Sequence, residues 1–432
     1  MDPSGEPSGN QPVVPIAAPH HLLGHPIDLG GHVAAHGPVQ VPTSPHAEWR
    51  HAFIATLEAS GLTGRGGGAF PAWAKLAMAS ADGAGGVLVV NGMESEPVSD
   101  KDKVLLTRAP HLVLDGAQLV AAACGAQEIL ICIPQGRDEI ADAVNRTLYE
   151  RAAYRYARVS ESLMRPPSRF VAGEESALAH WIDRGKSLPV FRPDKSIPLR
   201  IGRLPTLVHN TETLAHIALI ARYGPAPFRA RGTAEQPGTC LVTVAGAVNH
   251  PGVVEVEWGT PLRDIAQRAT PDDSPSAFLI GGYGGMWVAP VDFATPYSTM
   301  ALGAIGVTPG VGVMVVLSAG TCGLAESARI ARFLAGETSR QCGPCTYGLP
   351  AIADDLTRLS AGNPDPQLLS RLLRRLDQVD GRGACHHPDG AIAMARSALK
   401  VFTADVDAHM LGRPCPYVNQ ASQLRFPQPT AH

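Results

Sequence analysis

Residues 63–75 read Thr-Gly-Arg-Gly-Gly-Gly-Ala-Phe-Pro-Ala-Trp-Ala-Lys, and four glycines leave the backbone bare there. Gly64, Gly66, Gly67 and Gly68 can take angles closed to other residues, so backbone N–H groups can close around an anion. Arg65 and Lys75 bring positive charge to the two ends of the segment. A nucleotide or flavin phosphate suits this chemistry; a plain glycine-rich surface loop is the competing reading.

Three polar blocks follow. Asn91-Gly-Met-Glu-Ser-Glu-Pro97 sets Glu94 and Glu96 beside an amide. An Asn can pair with the polar edge of a flavin or nicotinamide, and a carboxylate can accept from ribose hydroxyls. A solvated acidic turn would look the same. In Arg169-Phe-Val-Ala-Gly-Glu-Glu-Ser176, Gly173, Glu174 and Glu175 could open a helix, and capping alone would explain both acids. In His209-Asn-Thr-Glu-Thr213, Asn210 has the form of an N-cap. Further on, Ser339-Arg-Gln-Cys342-Gly-Pro-Cys345 is joined by a lone Cys385. Three thiols could hold an iron–sulfur cluster; they could make a zinc site with His386 or His387, or be ordinary buried thiols.

The elements that must position these residues can be read from periodicity. Phe53, Ile54 and Leu57 recur at helical spacing between Trp49 and Ser60. Gly86–Asn91 and Ile129–Ile133 have the form of buried parallel strands, with a helix over Leu112–Ala123 between them. This alternation implies an α/β sheet with ligands at its carboxyl edge. Beyond Gly238, strand-like Cys240–Ala245 and Val253–Trp258, a short helix at Pro261–Ala266 and Phe278–Ile280 suggest a small α+β module. From Thr321 the pattern is helical: Ile330, Phe333 and Leu334 share one face, as do Leu369, Leu372, Leu373 and Leu376. The implied units are a flexible Pro/Gly/His-rich segment at 1–48, an α/β domain at 49–236, the small module at 237–320, a helical domain at 321–410 and a tail at 411–432. The N-terminal histidines match no compact ligand set.

A net charge of −3 and 17% charged residues give no footprint of nucleic-acid binding. Gly310–Ala319, the best apolar run, is too short to span a bilayer. The first residues lack the form of a secretory signal, which leads to a cytoplasmic expectation, with peripheral membrane association through partners as a variant.

The blocks, in this order, resemble the NADH-binding flavoprotein subunit of respiratory complex I and its relatives in NAD-linked hydrogenases and formate dehydrogenases. That family carries Gly-Arg-Gly-Gly-Ala-Gly-Phe-Pro, Asn-x-Asp-Glu-x-Glu-Pro-Gly, Tyr-x-x-Gly-Glu-Glu-Thr-Ala-Leu, Asn-Asn-x-Glu-Thr and Ser-Cys-Gly-x-Cys-x-Pro-Cys. The resemblance covers about residues 50–405. It implies a Rossmann-like FMN/NADH domain, a soluble-ligand-binding β-grasp module and a helical iron–sulfur domain.

Carried over by position, the resemblance implies that Gly64, Arg65, Gly66, Gly67 and Lys75 meet the FMN phosphate and that Phe70 stacks on the dinucleotide. Asn91 and Glu94 would lie at the flavin ring, with Gly173, Glu174, Asn210 and Thr213 as further flavin positions. Glu96 and Glu175 would hold NADH and repel the 2′-phosphate of NADPH. Cys342, Cys345 and Cys385 would ligate the cluster. The departures are Met93 for Asp, Phe170 for Tyr, His209 for the first Asn, and Ser339 for the first cysteine. A [4Fe–4S] cluster with Ser339 or another group as fourth ligand, or a [3Fe–4S] cluster, fits that set. Cys322 has no ligand role in the family motif.

The function so implied is hydride transfer from NADH to FMN, then single electrons through the cluster to a partner: a quinone-reducing complex, a ferredoxin or a cytochrome. A divergent paralogue fits the departures better than the respiratory subunit itself. The alternative is a scaffold, or a zinc-stabilised binding protein, that keeps the fold without the cofactors.

Overall fold

The computed structural model describes residues 21–81, 85–192 and 197–427. At the centre of its first sheet is β1 (Gly86–Asn91), buried along nearly its whole length. A strand this apolar needs cover on both faces. It pairs in parallel with β2 (Ala126–Cys132) on one side and β5 (Leu204–Asn210) on the other. β3 (Ser160–Met164) lies parallel beyond β2, and β4 (Leu199–Ile201) runs antiparallel at the far edge. The order β3-β2-β1-β5-β4 makes the gap between β1 and β5 the topological switch point. Asn91 and Asn210 are register partners there, at the two carboxyl ends.

One face is covered by the helices Ala47–Ser60, Ala72–Ala81, Pro110–Cys124 and Thr211–Tyr223, in one core with Leu88, Val90, Ile129 and Ile131. Helix Pro110–Cys124 starts on a proline, ends at left-handed Gly125 and is buried almost all round. It crosses Thr211–Tyr223 so closely that a Cβ on Gly116 would lie 1.9 Å from the Leu214 carbonyl oxygen. The other face buries Val87, Val89, Met93, Leu130, Leu178 and Val208.

The second sheet holds β6 (Thr239–Gly246), β7 (Gly252–Glu257), β8 (Pro275–Ile280), β9 (Met286–Val288) and β10 (Val313–Ser318), in the order β7-β6-β10-β8-β9. Only β6 and β10 are parallel. A helix at Leu262–Gln267 packs on its core. The helical unit contains Gly323–Gly336, Leu349–Ser360, Leu368–Val379, His387–Val401 and Thr403–Met410.

Two expectations need correction. The buried stripe of Leu368–Val379 is Leu368, Leu372, Leu376 and Val379, whereas Leu373 is exposed. Residues 21–46, read as part of a flexible segment, are docked. Leu22 is buried and its N–H meets Glu255, helix Leu29–His36 forms, and buried His32 pairs with Asp115 at 2.8 Å. Polar contacts and a few scattered apolar ones, Leu22, Leu29, Val39 and Val41, hold this stretch, so apolar periodicity gives no sign of it. The remainder of that expectation, residues 1–20, lies outside the described residues.

Candidate functional site

The glycine loop is a short closed excursion. Thr63 and Pro71 bridge its ends, and Gly64 N donates to Phe70 O at 2.8 Å. Gly67 has φ 97° and Ala69 φ 47°, both left-handed. The loop sits on the start of helix Thr211–Tyr223: Arg65 N donates to Thr213 Oγ1 at 2.9 Å, and a Cβ on Gly66 would lie 3.5 Å from Asn210. A Cβ on Gly68 would meet nothing within 4 Å, so bare backbone opens outward there. Phe70 is half exposed beside it.

Arg65 turns inward from the loop. It is buried, with Nη1 on Thr63 Oγ1, Nη2 on Thr239 O and its guanidinium 5.0 Å from the Trp258 ring centroid, so it ties the loop to the second sheet. A cavity of about 250 Å³ lies between loop and sheet, walled by Arg65, Gly67, Trp258, Tyr297 and Gly310. Lys75 and Asn91 are not among its lining residues. Lys75 is the half-buried cation of the segment and pairs with Glu175.

Asn91 Nδ2 donates to Gly173 O at 2.9 Å, joining the end of β1 to the Arg169–Ser176 block. Gly173 also lies close under the Asn91–Pro97 block, where a Cβ would come within 2.8 Å of Ser95 Oγ. Glu174 caps helix Glu175–Arg184, accepting from Ser176 N and Ala177 N. Glu94, at φ 36°, accepts from Asp102 N and Lys103 N at the start of helix Lys101–Arg108. Burial beside Asp102 pushes its carboxyl up to about 7. Asn210 caps helix Thr211–Tyr223. Three helix N-termini therefore meet near the switch point: Glu174 and Glu94 fill two of them, and the third, capped by the neutral Asn210, keeps its dipole for a bound anion.

Glu96 is buried against the second sheet. It accepts Tyr283 N at 3.0 Å, its Oε1 has no partner, and burial pushes it up to about 8. Met93 lies in the apolar cluster under β1, away from any polar role. His209 is buried, and burial with the nearby Lys75 cation lowers it to about 3.

Sequence reasoning missed Lys101. It is buried, with Nζ 2.9 Å from Asp102, 3.2 Å from Glu212 and 3.0 Å from Asn210 Oδ1. Burial opposes its charge, but Asp102 and Glu212 together hold the ammonium above its ordinary value. Its surroundings, Asp100-Lys-Asp-Lys103, read as a solvated charge run; nothing in them marks the buried member.

Cys345 is buried in the turn Pro344–Gly348, with Cys342 as its hydrogen-bond neighbour and Cys385 close enough to act on it electrostatically. Burial pushes the Cys345 thiol up to about 12. Among the described residues, only Cys322, His409 and Cys415 place three ligand atoms all within 4.8 Å of one another. Ser339 is half-buried in the loop leading to Cys342. His387 instead hydrogen-bonds Leu334 O at 2.8 Å.

The flavin-side block touches this loop directly. Phe170 N donates to Glu337 Oε2 at 2.9 Å, Arg169 Nη2 donates to Thr338 O at 3.2 Å, and Phe170 packs on Phe333 and His387. Glu174 also acts electrostatically on Cys385.

The bare backbone at Gly67 and Gly68, the start of helix Thr211–Tyr223 and Lys75 fit a flavin phosphate. The soft thiol set fits an iron–sulfur cluster. Fold and site together define a flavin- and iron–sulfur-dependent redox protein of the NADH-linked class. The Nuo51 FMN-binding domain family matches residues 57–219, and the NADH-ubiquinone oxidoreductase-F iron-sulfur binding region matches residues 325–409. A second form of the NADH-quinone oxidoreductase-F protein, from Rhizobium meliloti (strain 1021), is 28% identical over 381 residues, covering 84% of this chain and 90% of its own length. The NADH-quinone oxidoreductase-F protein of Streptomyces coelicolor is 29% identical, covering 84% of each chain. The crystal structure of an NAD+-reducing [NiFe]-hydrogenase in the H2-reduced state superposes with TM-score 0.76 at 27% identity, over 90% of this chain and 70% of that one. The chain thus carries a Nuo51 FMN-binding domain followed by an NADH-ubiquinone oxidoreductase-F iron-sulfur binding region, and it is similar to these relatives over most of its length.

Proposed function

We propose that this chain oxidises NADH and passes the electrons, through FMN and an iron–sulfur cluster, to another member of a redox assembly. When bound, FMN accepts a hydride and can release electrons singly, and the cluster carries them onward. The chain's own residues bind and orient. Gly64, Gly66, Gly67 and Lys75 hold the phosphate at the start of helix Thr211–Tyr223, against which the loop is fixed by Thr213. Asn91, Gly173 and Asn210 shape the edge at the end of β1. Phe70 and Glu175 flank the approach of the dinucleotide. Glu94, Glu96 and Glu174 act as positioning groups, because each is engaged with backbone N–H groups. Cys342, Cys345 and Cys385, with Ser339, hold the cluster.

One observation carries this reading: the Arg169–Ser176 block bonds to Asn91 at one end and to the Glu337–Thr338 loop at the other. Flavin edge and thiol set are thereby neighbours in a protein built to separate a hydride into single electrons. No helix among the described residues is long and apolar enough to cross a membrane. The reading places the chain in the cytoplasm, held at the membrane face only through its partners. A cofactor-free scaffold is not favoured, since it needs neither bare backbone at Gly68 nor clustered thiols. The departures at Met93, His209 and Ser339 point to a paralogue with its own acceptor, a ferredoxin or cytochrome. Flavin and iron analysis of anaerobically purified protein tests the reading. Both cofactors are expected; protein with neither, and no uptake of added FMN, overturns it.

A further inference from the structure

A second set of soft donors lies apart from the Cys342 loop. Cys322 is the N-cap of helix Gly323–Gly336, His409 ends helix Thr403–Met410, and Cys415 stands at the start of the tail. Their ligand atoms all lie within 4.8 Å of one another. Cys322 and His409 are essentially buried, at 2% and 0% exposure. A tetrahedral zinc centre, with bonds of about 2.3 Å to sulfur and about 2.0 Å to nitrogen, would set its donors roughly 3.5–3.8 Å apart, a small contraction from this arrangement.

The imidazole is oriented for the task. His409 Nδ1 hydrogen-bonds Leu359 O at 3.1 Å, which places the proton on Nδ1 and leaves the Nε2 lone pair facing Cys415. That lone pair accepts Cys415 N at 3.1 Å, so a cation would cost this one hydrogen bond.

We infer that Cys322, His409 and Cys415 form a site for one soft divalent cation, zinc by donor chemistry, which pins the C-terminal tail to the helical unit. Binding releases one proton from each thiol to solvent. Two thiolates then cancel the charge of the cation, so the buried site is neutral.

The consequence reaches the flavin side. Beyond Cys415 the tail bonds Glu326 through Ser422, buries Leu424, receives Tyr283 Oη on Arg425 O and places Arg425 on Asp100 at 2.9 Å. A cation at its root would fix the strap that closes the second sheet and helical unit against the loop after β1.

The test is zinc content of the full-length protein as purified, with zinc-edge X-ray absorption. The wild type is expected to carry about one zinc per chain in a two-sulfur, one-nitrogen environment. Cys415→Ser and His409→Gln should each lower zinc at least fivefold with iron and flavin unchanged, and should expose the tail to limited proteolysis. Cys415 is only half-buried, so its variant stays informative if Cys322→Ser fails to fold. Zinc retained in Cys415→Ser, zinc lost only on substituting Cys342 and Cys385, or a Cys322–Cys415 disulfide that persists in protein given excess zinc would each overturn the inference.

Discussion

Asn91 and Asn210 stand side by side at the carboxyl ends of two parallel strands, with Asn210 Nδ2 3.5 Å from Asn91 O across 119 residues of sequence. Around this pair meet the glycine loop, the start of three helices and the block that leads to the cysteines. The pair marks the floor of the site, and its surroundings set the following expectations.

Lys75 and Glu175 form an ion pair at the mouth. Glu175→Gln removes the negative charge that faces an incoming dinucleotide. The preference for NADH over NADPH, as a ratio of kcat/KM, should narrow about tenfold, which corresponds to about 1.4 kcal/mol of discrimination. FMN content should stay as in the wild type. A ratio that does not move removes Glu175 from the specificity machinery.

Glu96 gives stability a pH dependence. A free Glu ionises near 4.5, and Glu96 in the fold near 8. Between these values the folded chain keeps a proton that the unfolded chain has lost. Its contribution is therefore whole below 4.5 and declines as pH rises to 8, by up to about 1.4 kcal/mol per unit. Glu96→Gln stays neutral and can still accept Tyr283 N–H, so it should lose less stability than the wild type from about pH 5 to 8. Parallel urea midpoints for the two proteins would count against a protonated Glu96.

Lys101 balances Asp102 and Glu212 in a buried network. Lys101→Met removes the one cation paired with Asp102 and leaves Glu212 only Arg65 at 3.9 Å, and it should destabilise the protein by about 3–5 kcal/mol. Denaturant unfolding reads this directly. A loss under about 1 kcal/mol would mean that water reaches the network.

Ser339 stands where the family motif has a cysteine. A serine oxygen is a harder ligand than a thiolate and holds the oxidised cluster more strongly. Ser339→Cys should raise the midpoint potential of the cluster in a redox titration followed by electron paramagnetic resonance. An unchanged potential would show that residue 339 is not a ligand.

Much of the fold is legible because its signals are local. One apolar run marks β1 within its true bounds, and periodicity and turns mark helix Pro110–Cys124 and the second sheet. What sequence does not supply is direction and pairing. Glu94 and Glu96 sit two residues apart, yet one caps a helix and the other crosses to Tyr283. Arg65 has the charge of a phosphate ligand, but it is buried with Nη1 and Nη2 on Thr63 and Thr239. Docking of residues 21–46 combines a few scattered apolar contacts, such as Leu22 and Leu29, with the buried polar pair of His32 and Asp115, which no hydrophobic pattern announces. Cys415 looks isolated along the chain because its fellow donors come from two other helices.

The most direct test is an anaerobic titration of the purified, cofactor-containing protein with NADH, followed by visible absorption. The account predicts stoichiometric bleaching of a bound flavin and reduction of the cluster, with Lys75→Ala showing flavin occupancy reduced at least tenfold. Protein that binds FMN fully without Lys75, or whose flavin stays oxidised under excess NADH, would contradict it.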